Sequence, residues 1–268
     1  MFDNSFRSSV LTISIFALNT SQLHKFLILI VTLFLSISFC NAQIVQEDYS
    51  EDEAFAYKAE FTGGVIFHTL GGIPGGIKFK YAWQRKKNVK QFNNISLEIV
   101  NIKHPKEVRF AADSGNGFFI LNKVNHFFVI RPNYSREFLL FRKSSEEGLE
   151  MKLITSAGPS IGLIKPYYII VSNGNGKTSV VPYASIGNNS SILGNSFLSG
   201  FDHMSATIGL NARVSLEFGI SAWETFVTGI ELGFLIEAYT KKIVIVENSR
   251  NNSAFTSAFV NIYFGKRY

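Results

Sequence analysis

The 268-residue chain carries 26 Lys and Arg against 20 Asp and Glu, a formal charge of +6, yet only 17% of its residues are charged while 46% are hydrophobic. Soluble domains usually carry about 25% charged residues, and the scatter of the basic ones speaks against nucleic acid as a partner. Cys40 is the single cysteine, which excludes a disulfide framework and a cysteine-based metal site.

Residues 26–39 form the one long apolar run, preceded by His24 and Lys25 and followed by Cys40-Asn41-Ala42 before Gln43. A basic start, a short apolar stretch and small residues at the −3 and −1 positions predict a Sec signal peptide cleaved after Ala42. A helical anchor would want about 20 apolar residues, and a lipoprotein signal would want a small residue where Phe39 stands. Residues 1–42 are thus expected to be an upstream extension and signal. Residues 43–56, with Glu47, Asp48, Glu51, Asp52 and Glu53, read as a solvated acidic lead-in.

Eight two-faced strands are expected over residues 57–268. The first, 57–69, sets Tyr57, Ala59, Phe61, Val65 and Phe67 against Lys58, Glu60, Thr62 and His68. The second, 75–85, sets Ile77, Phe79, Tyr81 and Trp83 against Lys78, Lys80 and Gln84; the third, 94–103, sets Ile95, Leu97 and Ile99 against Ser96 and Glu98. The fourth, about 124–142, is the least regular, because Pro132 lacks a ladder donor and should force a bulge or an unpaired position. The fifth begins at Leu149, with Met151 and Leu153 opposite Glu150, Lys152 and Ser156. In the sixth, every second residue from Met204 to Phe218 is apolar and the residues between are polar or glycine. At about 16 residues it exceeds the usual 5–6 and is long enough to cross a bilayer at a tilt. The seventh, 225–239, sets Phe226, Ile230, Leu232, Phe234 and Ile236 against Glu231 and Glu237. The eighth, 255–268, aligns Ala258, Val260, Ile262 and Phe264 and ends on Tyr268.

Long connections fall mostly on one side: 104–123, 158–203 and 241–254, with the short 70–74. The other side has 86–93, 143–148 and 220–224. That asymmetry matches a barrel with short periplasmic turns and longer outer loops. Glycine- and asparagine-rich stretches at 172–179 and 187–200 read as loop. Tyr81, Trp83, Phe127, Phe128, Tyr167, Tyr168 and Trp223 are expected as interface aromatics.

Hydrocarbon leaves backbone polar groups unsatisfied, so only helices and closed sheets cross it. With no sufficient helical run after residue 42, the expected fold class is all-β: a closed antiparallel transmembrane β-barrel of about eight strands. Its apolar faces would point to lipid. Lys58, Lys78, Lys80, Lys152 and Arg213 would share the lumen with Glu60, Glu98, Glu150, Glu217, Glu231 and Glu237. Eight strands enclose a space that side chains can fill, so a plugged, ion-paired interior is expected.

Other chemistry is thinly marked. Gly176-Lys177-Thr178 lacks the glycine five residues earlier that a phosphate loop needs, and no helix context surrounds it. The histidines show no metal-ligand spacing. A Ser–His pairing of His126 with Ser156, as in a lipid-modifying barrel enzyme, has no local motif. No catalytic residue, metal or cofactor is assigned.

Segments 102–107 (IKHPKE), 122–141 (NKVNHFFVIRPNYSREFLLF) and 156–167 (SAGPSIGLIKPY) resemble an uncharacterised outer-membrane β-barrel family of Bacteroidetes-type bacteria. This chain departs from that pattern near Leu121-Asn122-Lys123, where the family carries Gly-Lys, and at Pro132, where it carries Gly nearby. The resemblance implies outer-membrane location and fold, and no activity. Phe264 and the terminal Tyr268 resemble the signal read by barrel-assembly machinery. The expected partners are that machinery, outer-membrane lipid and lipopolysaccharide. The leading functional expectation is a non-enzymatic barrel serving envelope structure, adhesion or a secretion assembly. A lipid-modifying enzyme or small transporter acting at the outer loops is the first alternative. A soluble lipocalin-like barrel, with apolar residues inside and charges outside, is the second.

Overall fold

The computed structural model describes residues 57–85, 88–113, 117–141, 149–172, 177–186, 191–220 and 225–268. The expected signal and acidic lead-in, and Trp223, lie outside them. The described strands are β1 (Ala59–His68), β2 (Gly76–Arg85), β3 (Asn88–Ile102), β4 (Arg109–Ala111), β5 (Phe118–Ile120), β6 (Asn125–Phe141), β7 (Glu150–Pro166), β8 (Tyr168–Ser172), β9 (Thr178–Pro182), β10 (Ser191–Ser196), β11 (Ser205–Ile220), β12 (Phe226–Tyr239) and β13 (Ala254–Arg267).

Eight of them close on themselves in the order β1-β2-β3-β6-β7-β11-β12-β13 and back to β1, antiparallel at every step. The ladder can be followed round the wall: Ala59, Trp83, Asn93, Arg136, Thr155, Val214, Phe234 and Ala258 are successive partners. The Ala258 carbonyl then accepts from the N–H of Thr69, ten residues along the chain from the starting Ala59. That offset is the stagger a tilted barrel requires. Closure leaves the wall without a free edge.

Side chains alternate across this wall, apolar outward and charged inward. Leu210 is 72% exposed on the outer face, while Glu231 on the neighbouring strand is wholly buried inside. Each of the eight expected strands is present, β3 starting earlier and β7 running later than the sequence suggested. β7 reaches Pro166, so the long connection begins at residue 167 rather than 158. Residues 168–172 do not prolong β7; they form β8, which pairs with β9 and β10 in a separate three-stranded sheet. Residues 191–196, expected as loop, are β10 of that sheet. Its apolar face (Tyr167, Ile169, Val171, Ile192) packs with Phe119 and Ile120 beside the β4–β5 hairpin.

β6 keeps its register through Pro132. Ile130 faces Ile161 and Tyr134 faces Ala157, and between them the β6–β7 ladder is open. That register sets Pro132 opposite Pro159. Neither imide nitrogen carries a hydrogen, so the rungs there cannot form. Asn211 donates from inside to the Gly158 and Pro159 carbonyls at 3.1 and 3.2 Å. A side chain at Gly158 would run into the Pro132 carbonyl, so the strands meet here only because position 158 lacks one.

Toward the loop end the interior turns apolar. Ile66, Val100, Ile102, Phe127, Val129, Leu235, Tyr239 and Phe259 line it, and Ile243, Ile245 and Val246 descend into it from the final connection. Val124 donates its N–H to Ile245, and Lys123 forms a bridge with Val246. Asn251 holds the descending segment by accepting from Ile245 N–H at 3.0 Å and donating to the Val246 carbonyl at 2.7 Å. The barrel is therefore stoppered by its own chain. Phe127 and Tyr167, expected at an interface, are instead fully buried, Phe127 in this stopper and Tyr167 under the small sheet.

Phe127 sits edge-on to Tyr239 at 5.2 Å and lies 6.0 Å from Phe255. Phe127→Ala should cost about 3–5 kcal/mol through the cavity it leaves. The check is the temperature at which the folded band gives way to the unfolded one on heated gels, which should fall clearly below that of the wild type.

Candidate functional site: the ion-paired lumen

The inward charges divide into two networks. Nearer the chain termini, Lys80 reaches Glu217 at 2.7 Å, Glu60 at 3.3 Å and Glu137 at 3.4 Å. Lys152 lies 3.0 Å from Glu150 and 3.6–3.7 Å from Glu137, Glu217 and Glu60. Arg267 closes the bottom on Glu150 at 2.8 Å and Glu60 at 3.0 Å. Above, Lys78 meets Glu231 at 2.8 Å and Glu98 at 3.8 Å. Arg131 binds both oxygens of Glu237 at 2.8 and 3.0 Å and lies 3.6 Å from Glu98. Arg213 pairs with Glu98 and, at 2.7 Å, with Glu231.

Strand register explains the pairing. Lys78 faces Glu98, Glu98 faces Arg131, Glu60 faces Arg267 and Glu217 faces Lys152 across their ladders. Glu217 also faces Glu231. Like charges so placed would repel, and they turn to different networks, Glu217 to the lower lysines and Glu231 to Lys78 and Arg213. Neutral donors complete the shells: Ser215 and Asn261 donate to Glu231 at 2.7 and 3.2 Å, and Tyr239 donates to Glu237 at 3.0 Å. Arg213 lies over the Phe259 ring at 4.1 Å, where the ionic layer meets the apolar stopper.

Ten of the eleven charges assigned to the lumen from sequence are buried there. Lys58 is the correction. β1 begins at Ala59, so Lys58 precedes the alternating strand and is exposed at its foot. Tyr57, read as outward, folds the other way for the same reason: its hydroxyl donates to Glu150 at 3.2 Å and its ring lies beneath Arg267 at 4.1 Å. Arg213, four residues from Glu217, pairs across strands with Glu98 and Glu231 instead. Arg131, Glu137 and Arg267 belong to the networks and were not singled out. The first two share the inward parity of Asn133 and Ser135, a signal readable on β6 once Pro132 is placed outward.

His126 and Ser156 are not brought together. His126 lies on the outer wall against Phe128, Tyr167 and Phe197, while Ser156 faces the lumen. Above the strands, Lys123 is buried with Glu107 at 2.7 Å; burial lowers its ammonium from the ordinary lysine range against the pull of that carboxylate. Phe264 and Tyr268 are exposed on the outer face and at the chain end, 68% and 64%.

No family model matches the chain, and no curated protein matches it. Among solved structures, Ail, the attachment invasion locus protein of Yersinia pestis, crystallised with the heparin analogue sucrose octasulfate, is 11% identical with a TM-score of 0.39; the match covers 79% of this chain and 99% of Ail. Neisserial surface protein A is 9% identical with a TM-score of 0.36, over 80% of this chain and 97% of that one. The closed barrel itself is read from this chain's own ladder.

Among the described residues the lower network sets four carboxylates (Glu60, Glu137, Glu150, Glu217) about three cations (Lys80, Lys152, Arg267), whereas the upper one is balanced. Lys152→Met strips the shared cation from a buried acidic group and should cost about 3–5 kcal/mol. Glu217→Gln removes the surplus charge and keeps a hydrogen-bonding amide, so it should stay within about 1 kcal/mol of the wild type. Denaturant titration of the two refolded variants checks the contrast.

Proposed function

We propose that this chain is a non-enzymatic outer-membrane β-barrel that stands in the envelope as a filled stud and works through its outer loops. The observation that carries this reading is the inverted polarity of the wall. A soluble lipocalin-like barrel would require apolar residues inside and charges outside, and below the apolar stopper the strands have the reverse arrangement. Lipid is the solvent that fits such an exterior. The interior, filled by ion pairs below and by the stopper above, favours a structural or adhesive role over transport. His126 and Ser156 on opposite faces remove the specific pairing on which an enzyme reading would rest.

In this reading the termini lie in the periplasm and the β4–β5 hairpin, the β8–β9–β10 sheet and the final connection face outward. Those loops carry exposed Lys106, Arg109, Lys177, Lys241, Lys242 and Arg250. Glu107 is committed to Lys123, Asp113 to Ser191 and the Ile192 N–H, and Asp202 to His203, which leaves exposed Glu247 against those six cations among the described residues. The surplus of exposed cations suits an anionic partner such as lipopolysaccharide. Residues 1–42 as signal, residues 43–56 as a periplasmic lead-in, and Phe264 with Tyr268 as the assembly signal belong to the same proposal. So does kinship with the Bacteroidetes-type family that segments 102–107, 122–141 and 156–167 resemble.

Expressed in a Gram-negative host, the protein should fractionate with the outer membrane and begin at Gln43 by N-terminal sequencing; recovery in the aqueous extract without detergent would overturn the membrane reading. In planar bilayers the intact barrel should pass no steady current, and stable openings would overturn the filled lumen.

A further inference from the structure

Arg136 stands on the outer face of β6, exposed, inside the apolar wall rather than at its rim. Tyr134, Ile95 and Ala157 lie on its loop side, and Phe138, Leu153 and the polar Gln91 on its terminus side. Its ladder neighbours are Asn93 and Thr155, polar but uncharged. Among the described residues no carboxylate pairs with it. An arginine facing hydrocarbon is costly, most at mid-membrane and less toward the interface, so this position calls for an anion from outside the chain.

Directly beside it the wall is indented. The unclosed rungs at Pro132 and Pro159 underlie a groove of about 630 Å³ whose lining is almost wholly apolar and includes Phe79, Leu97, Tyr134 and Ala157. The groove crosses β1, β2, β3, β6 and β7 over two ladder rows, and its Tyr134 and Ala157 are the outward neighbours of Arg136 on the loop side. A cation and an apolar trough on the next ladder row match the two halves of one molecule.

We propose that Arg136 and the Pro132–Pro159 groove form a binding site for an anionic phospholipid of the leaflet nearer the termini. The phosphate accepts from the Arg136 guanidinium, with Asn93 and Thr155 as neutral neighbours, and one acyl chain lies along the groove. A second copy of the barrel is the competing occupant, but among the described residues the patch offers no outward carboxylate with which Arg136 of another copy could pair. The inference rests on the membrane reading above and adds a ligand to it.

The test is native mass spectrometry of the full-length mature barrel, released from detergent after titration with phosphatidylglycerol or with phosphatidylcholine of the same acyl chains. One phosphatidylglycerol should be retained per barrel, in clear preference to phosphatidylcholine. Retention should fall about tenfold, the loss of one charge-assisted contact, in Arg136→Gln. It should fall similarly in Ala157→Trp, which fills the groove and leaves the arginine. Both positions face outward, and heated gels verify that each variant folds. Equal retention of the two lipids, unchanged retention in either variant, or a dimer lost in Arg136→Gln would each overturn the site. Insertion into phosphatidylglycerol vesicles is scored in parallel. A wild-type barrel that fails to insert overturns the membrane reading, and one that inserts but retains no lipid overturns the lipid site alone.

Discussion

Closure of the ladder forces everything else. Once eight tilted strands meet edge to edge, every inward side chain is confined to a space about as wide as two side chains. A charge there has no water to turn to and must find its partner in the same cylinder. The cost of a single unpaired ion in such surroundings exceeds what any surface ion pair returns. The networks are therefore continuous: Lys152 alone touches four carboxylates, each supplied by a different strand or strand position. Bridges that cross the bore tie strands far apart in sequence, as Lys78 on β2 does with Glu231 on β12.

The vertical layering follows from the same confinement. On β12 Glu231 lies beneath Leu235 and Tyr239, Glu237 stands between those two apolar residues, and the stopper residues Ile243, Ile245 and Val246 pack against the same cluster from the loop side. An apolar lid over paired charges lowers the local dielectric and strengthens their attraction. At the other end Tyr57 and Phe92 stack at 5.4 Å, and Lys152 lies 5.5 Å from the first ring and 5.4 Å from the second. Both mouths of the ionic layer are thus covered by aromatic or aliphatic groups, drawn partly from the strand ends and partly from segments outside them, Tyr57 before β1 and Ile243, Ile245 and Val246 after β12.

The strands were legible because a period of two is a local property. Met204 to Phe218 declares its two faces without reference to anything else in the chain, and the register then places Arg213 and Glu217 inside. What failed to read was non-local or lay at an end. Lys58 and Tyr57 carry the right parity but precede the strand, where alternation no longer constrains them. Arg267 stands at the very end of the expected eighth strand, and only its partners Glu60 and Glu150 make it a lumen residue. Ile243, Ile245 and Val246 sit in a connection, and nothing within five residues of them announces that they turn back into the mouth. Phe127 and Val129 are apolar on the inward face, the reverse of the rule that held lower down, because at that height the stopper, not a charge, is what they meet.

Pro132 taken alone predicts a bulge or an unpaired position, and of the two the ladder shows the unpaired position. Against Pro159 it marks one interruption shared by two strands, with the register preserved on both sides of it. The lost rungs would leave carbonyls without donors in the wall, and Asn211 reaches across from β11 to supply them. A bulge would have restored hydrogen bonding by shifting one strand by a residue, and that shift would have turned Arg131, Asn133, Ser135 and Glu137 out toward the exterior. Keeping the ladder open at one place is the cheaper arrangement, since it loses a few rungs and preserves the inward placement of Arg131 and Glu137 on which both ion networks depend.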